Sequence, residues 1–278
     1  PLVLPILTKP VYHFLARADV FSKFTSPIFK NAHMLPIYRQ QDGVNTKEKN
    51  KEIFNASTQI LLNGKNILIF AEGFTDDVFI RRHKPLKKGA IRIAFTTLEA
   101  CNWNKEISIK IIGINYSSPK VFSSDLLVSF SKSIVINDYK EKYEKNPVKT
   151  INELNEKIED ELKSQITHLE NPDDSILHEN IMRISGIGMN ESYFKSNINL
   201  EERWRNSQKI AQKLNKQDDE AKNKLKQKLK DYFKEFDLNN IPEKLAYNDE
   251  KKSLAIFKNM FLLIVLLPIF LIGFIHCY

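Results

Sequence analysis

The sequence predicts an α/β domain, a mixed sheet flanked by helices, followed by a charged helical region and a C-terminal transmembrane helix. Three observations predict it. From residue 1 to about 145, short apolar runs alternate with helical patterns, the arrangement that packs helices onto a sheet. Residues 146–252 are rich in Lys, Glu, Asn and Asp yet keep helical periodicity in long stretches. From Asn259 to Tyr278 there is no Asp, Glu, Lys or Arg, and about 20 apolar residues are what one bilayer crossing needs. The 278 residues, 42% of them hydrophobic, can supply a substantial core.

The elements follow in order. Val11 to Leu15, His33 to Tyr38, Ile67 to Ala71, Ile107 to Tyr116 and Leu126 to Ile136 have the length and β-branched content of strands. Between them Thr46 to Asn63 reads as a helix opened by Asn45 or Thr46 and stopped at Asn63-Gly64, and Leu86 to Cys101 reads as a second. Beyond these, Ile151 to Leu169 and Leu200 to Phe236 are amphipathic helices, with breaks near Asn171-Pro172 and Asn239 to Pro242. The predicted segments are therefore an α/β domain at 1–145, a charged helical region at 146–252 and a membrane segment at 253–278. No internal repeat and no G-x-x-x-x-G-K phosphate loop is present.

The net charge of +8 lies in the first segment. Residues 1–145 carry 22 basic against 13 acidic side chains, and residues 146–278 carry 20 against 21. Basicity alone raises nucleic acid as a partner, but there is no recognisable binding module and no aromatic-basic stacking surface, so no nucleic acid is expected. The run "KQDDEAKNKLKQKLKDYFKEFD" is read as a solvated helix face. Two cysteines, Cys101 and Cys277, exclude a disulfide framework and a Cys-based zinc site. Lys251, Lys252 and Lys258 flank the apolar tail on its N-terminal side, which places the preceding domain on the cytoplasmic side of a membrane. Pro268 and Gly273 within the tail are tolerated in membrane spans. No secretory signal is recognisable, and the absence of an initial Met suggests a piece of a longer chain.

Chemistry gathers at predicted strand ends, where α/β folds build their sites. Pro36-Ile37-Tyr38-Arg39 delivers a guanidinium to the sheet rim, and an Arg fork suits phosphate through two parallel hydrogen bonds. Phe70-Ala71-Glu72-Gly73 ends another strand. Arg81, Arg82, His83 and Lys84 follow, and then Pro85-Leu86-Lys87-Lys88-Gly89 opens a helix, so cations and a helix N-terminus could share one anion pocket. Each residue alone has a plainer reading: Arg39 as a surface ion-pair partner, Glu72 as a turn cap. Order and spacing lift the set above these.

"HMLPIYRQQDG", "ILIFAEGFTDD" and "IKIIGINYSSP", in that order, resemble the second, third and fourth blocks of the glycerolipid acyltransferases, the lysophosphatidic-acid and glycerol-3-phosphate acyltransferase superfamily of phospholipid synthesis. The resemblance covers roughly residues 1–140. It implies that Arg39 contacts the acceptor's phosphate and that Glu72 and Gly73 shape the acceptor site, with Lys87 or Lys88 as a further phosphate ligand. Phe70, Glu72 and Gly73 match a third block that is usually Phe-Pro-Glu-Gly-Thr, whereas Ala71 replaces Pro and Phe74 replaces Thr. Ile111-Ile112-Gly113-Ile114 keeps the strand of the fourth block without its Pro.

The family's first block, His-x-x-x-x-Asp, supplies the general base and the carboxylate that orients it. No such block precedes His33 in this sequence; His13 stands six positions before Asp19. His168 and Asp173 have the spacing but follow all the other blocks, beside Pro172, and are read as coincidence. Because a Pro commonly follows the family's catalytic Asp, the chain is expected to begin just downstream of that block and to be inactive as it stands. The implied reaction is transfer of an acyl group from acyl-CoA or acyl carrier protein to a hydroxyl of 1-acylglycerol-3-phosphate or glycerol 3-phosphate, with positioning as much of the catalysis. No metal or redox cofactor is called for, and the implied partners are the lipid acceptor, the acyl thioester and a membrane. The alternative is a non-catalytic membrane-anchored lipid-binding or scaffold protein.

Overall fold

The computed structural model describes residues 11–38, 46–73, 78–121, 124–189 and 198–238. The first unit is a three-stranded parallel sheet with β1 (Tyr12–Arg17) at its centre. On one side β1 pairs with β2 (Met34–Ile37), from Phe14 opposite Met34 to Arg17 opposite Ile37. On the other it pairs with β3 (Asn66–Leu68), from Tyr12 opposite Asn66 to Phe14 opposite Leu68. Parallel neighbours need helical crossovers, and α1 (Thr25–Asn31) and α2 (Thr46–Leu62) supply them. The three strand ends at Arg17, Ile37 and Leu68 consequently face one edge.

Beyond α3 (Gly89–Ala100) the pairing becomes antiparallel. β4 (Ser108–Ile109) pairs with β7 (Ile134–Val135), and β5 (Ile112–Tyr116) with β6 (Leu126–Phe130). The expected mixed sheet is thus one parallel sheet and two separate antiparallel pairs among the described residues. Each long predicted strand, Ile107 to Tyr116 and Leu126 to Ile136, is divided in two. The cause is a contact between the two segments: the Ile111 amide donates to the Ser131 hydroxyl (3.0 Å), which in turn donates to the Lys132 carbonyl, so a side chain replaces a strand neighbour where the chain bends. β3 is also shorter than the predicted Ile67 to Ala71, because the chain turns at Phe70, whose carbonyl accepts from the Gly73 amide (3.2 Å).

The remaining helices are α4 (Lys140–Lys145), α5 (Pro147–Gln165), α6 (Ser175–Ser185), α7 (Leu200–Lys216) and α8 (Asp219–Leu238). Asn146 caps α5 by accepting from the Lys149 amide, with Pro147 in the first turn. The long predicted helix from Leu200 to Phe236 is broken at Gln217-Asp218, where the Asp218 carboxylate accepts from the Ala221 amide (2.8 Å) and starts α8. Two apolar clusters hold these layers. In one, Ile91, Phe95 and Leu98 of α3 meet Ile107, Ile111, Ile134 and Ile136, closed by Leu154 and Ile158 of α5. In the other, Leu177 of α6, Ala211 and Leu214 of α7, and Leu229 and Phe233 of α8 surround Leu169. Among the described residues no helix is long and apolar enough to cross a membrane; the expected span at 253–278 lies outside them.

Candidate functional site

Of the residues singled out in the sequence, Glu72 and Gly73 follow β3 at the edge formed by the ends of β1, β2 and β3. Arg39 lies just outside the described residues, but its neighbour Tyr38 is fixed. Asn50 on α2 accepts from the Tyr38 amide (3.0 Å) and donates to the Tyr38 carbonyl (2.8 Å), so a side-chain amide takes the place of a strand partner at the end of β2. The Lys49 ammonium stands 4.8 Å from the centre of the Tyr38 ring. Nothing local in the sequence marked Asn50 for this work.

Glu72 and Gly73 follow β3 by four and five residues. The Glu72 carboxylate accepts from the Lys84 amide (3.2 Å), and the Ala71 carbonyl accepts from the Lys87 amide (2.8 Å). Glu72 therefore braces the segment entering α3. Gly73 has φ +77°, in the left-handed region. The Lys87 stem lies against it: a Cβ there would stand 3.6 Å from Lys87 Cγ. Glu72, Gly73 and Lys87 are thus brought together, with Lys87 exposed.

Lys88 is placed differently. It occupies the N-cap of α3, and its ammonium donates to the Asn152 side chain of α5 (2.6 Å). The same segment is held by Glu159 of α5, which accepts from the Leu86 amide (2.9 Å) and from the Asn155 side chain. Carboxylates on two sides, Glu72 and Glu159, thereby fix residues 84 to 86.

Two of the 81–84 residues, Arg81 and His83, are packed inside instead of facing the anion pocket that their clustering suggested. Arg81 is 5% exposed and turned inward. It donates to Glu179 (2.7 Å) and to the carbonyls of Tyr116 (2.7 Å), Ser117 (3.0 Å) and Met189. Its guanidinium thus ties the end of β5 to α6 and to the loop that follows it. His83 is equally buried, with its ring stacked on His168 at 4.7 Å. Burial, then the neighbouring His83, lowers His168 to about 4 despite Glu170 at 3.6 Å from its Nε2. His168 is neutral at pH 7. Its contacts are with His83 and Glu170, not with Asp173, whose amide donates to Asn171.

His13 is no substitute base. It is the second residue of β1 and so lies at the end opposite the site, 8% exposed and against His33 at 4.7 Å. Burial, then His33, holds it below the usual histidine range. The strand of the fourth block, β5, is committed to packing. Asn115 and Ser129 both donate to the last carbonyl of α5, that of Gln165 (2.9 and 2.7 Å), and Gly113 lies directly beneath it.

The site is therefore a strand-end loop stiffened by backbone bonds, with Lys87 laid across Gly73 and the Tyr38 backbone pinned nearby in the sheet. It can receive an anion and hold it beside a sheet edge. Comparison with protein-family models matches residues 1–117, the segment containing this edge, to the model described as Acyltransferase. No curated protein and no solved structure matches the chain. Residues 1–117 are therefore an acyltransferase domain of the glycerolipid acyltransferase family.

Proposed function

We propose that the domain transfers an acyl group from acyl-CoA or acyl carrier protein to a hydroxyl of 1-acylglycerol-3-phosphate or glycerol 3-phosphate, in phospholipid synthesis at the cytoplasmic face of a membrane. The observation that carries this reading is the placement of Lys87 over Gly73, in a loop that Glu72 holds rigid through the Lys84 amide. Arg39 and Lys87 hold the acceptor's phosphate. Lys88, already bonded to Asn152, adds positive charge behind them. The acceptor hydroxyl attacks the thioester carbonyl, its proton passes to a general base, and the thiol carrier leaves. Holding both reactants removes much of the entropic barrier.

The base is the histidine of a His-x-x-x-x-Asp block, which residues 1–32 do not contain ahead of the second block. The 278 residues alone are therefore inactive on this reading. The test compares this chain with one extended by the residues encoded directly upstream of Pro1, using acyl-CoA with each acceptor. Transfer by the extended chain only is expected. Transfer by the 278 residues alone removes the inactivity claim, and no transfer by an extended chain that carries the block removes the acyl-transfer claim. In an active chain, Lys87→Gln is expected to raise KM for the acceptor about tenfold with kcat little changed, the mark of lost phosphate binding.

The lack of that block within residues 1–32 also favours a second reading, a membrane-anchored lipid-binding or scaffold protein that keeps the phosphate site. Upstream DNA that encodes a start codon and no such block, together with calorimetric binding of lysophosphatidate, would select it.

A further inference from the structure

Away from the sheet edge, α6 and α8 border an open groove of about 670 Å³. Its floor is apolar: Leu177 is 1% exposed and Phe233 is 8% exposed, and Ile176 stands 75% exposed at the rim. The wall along α8 is cationic. Lys222, Lys226, Lys230 and Lys234 recur every four residues and so stack along one side of the helix. Like charges at this spacing repel and destabilise a helix.

The first half of the column is neutralised. Asp174, almost fully buried, pairs with Lys222 (3.0 Å) and with Lys226 (2.9 Å). The second half is not: Lys230 and Lys234 are exposed, line the groove, and have no carboxylate partner among the described residues. Arg183 also lines it, with its guanidinium 4.1 Å from the centre of the Phe233 ring, and Asp173 is the one acid among the lining residues. Positive charge thus sits beside a concave apolar floor of ligand-pocket size.

We propose that this groove binds one molecule of a single-chain anionic amphiphile, with its chain on Ile176, Leu177 and Phe233 and its head between Lys230 and Lys234. An anionic head shared by the two ammonium groups relieves their mutual repulsion, and the chain covers the exposed Ile176. The inference does not rest on the acyl-transfer reading, because the groove lies between helices that contribute nothing to the sheet edge. A flat membrane-adsorbing face needs no concave apolar floor, so a single bound chain is the occupant the geometry favours.

The experiment is photo-crosslinking of the full chain with dodecyl phosphate carrying a diazirine at the chain end, below its micelle concentration, with peptides mapped by mass spectrometry. Labelling of α6 and α8 around Ile176 and Phe233 is expected, displaced by unlabelled dodecyl phosphate but not by equal concentrations of dodecyl maltoside or inorganic phosphate. Lys230→Gln with Lys234→Gln is expected to weaken the labelling about tenfold, and Ile176→Asp to abolish it. Lys213→Gln with Lys216→Gln, on α7, is expected to leave it unchanged. Labelling confined to other segments overturns the proposal even in the unaltered chain, whatever the folding of the variants. Equal displacement by the neutral detergent or by phosphate overturns it too. So does labelling that occurs only when the probe is presented in vesicles, which would make the face a membrane-adsorbing surface.

Discussion

Gly73 and Gly113 are both glycines of family blocks, yet they are required for different reasons. At Gly73 a methyl has room, 3.6 Å from Lys87 Cγ, but φ is +77°. Gly73→Ala is therefore expected to cost about 1–2 kcal/mol and to loosen the acceptor loop, read as a raised acceptor KM in an active chain. At Gly113 the conformation is ordinary, but a Cβ would stand 2.1 Å from the Gln165 carbonyl oxygen. Gly113→Ala is expected to lower stability by about 3 kcal/mol, measured as a shift of the urea midpoint, because backbone must move to admit it. Arg81→Met removes three bonds to backbone carbonyls and one to the partly exposed Glu179, and is expected to cost about 3 kcal/mol by the same measurement. Read from the sequence, Arg81 belonged to a cationic loop. Its true partners lie 35 to 108 residues away, and no local pattern distinguishes an arginine that points inward from one that points at a ligand.

Most elements were legible because their signals are local. Apolar periodicity located α2, α3 and α5, but α5 was read as Ile151 to Leu169, four residues late at each end, because the Asn146-Pro147 start was not used. The strands at 107–116 and 126–136 were placed but not divided, since the bend depends on Ser131 meeting Ile111 across twenty residues. α6 went unread although Leu177, Ile181 and Ile184 recur at helical spacing, because its eleven residues follow directly on the break at Asn171-Pro172. Its junction with α8 makes a testable contact. Burial raises Asp174, but hydrogen bonds and charge from Lys226 and Lys222 outweigh this and hold the carboxyl below its ordinary value. Asp174→Asn leaves Lys222 with only the exposed Asp219 (2.9 Å). The expected result is a loss of about 2 kcal/mol or more, with faster amide hydrogen exchange concentrated in α8.

For the whole molecule, the pH dependence of stability follows from two histidines kept neutral. His168 and His178 are each lowered to about 4, mainly by burial, and the Nε2–H of His178 donates to the Ser207 carbonyl (2.9 Å). In the unfolded chain both protonate near pH 6.5. Since their folded values are depressed, their contribution is complete above about 6.5 and is lost as pH falls toward 4, at up to about 1.4 kcal/mol per pH unit for each. The melting temperature is expected to drop between pH 7 and 4.5, and His168→Gln with His178→Gln to flatten that slope. An unchanged melting temperature across this range in the parent chain would show that the two rings are not held neutral. The family match ends at Ser117, whereas the core that supports it draws on Leu154 and Ile158 of α5. α5 is joined to that core at a fixed length as well: Asn146 sets its first turn, and Asn115 and Ser129 receive its last carbonyl at Gln165. One residue inserted between them would turn that carbonyl by about 100° and advance it by about 1.5 Å. The helix is thus a ruler of nineteen residues, and its span cannot grow or shrink by a single amino acid without detaching it from the strand of the fourth block.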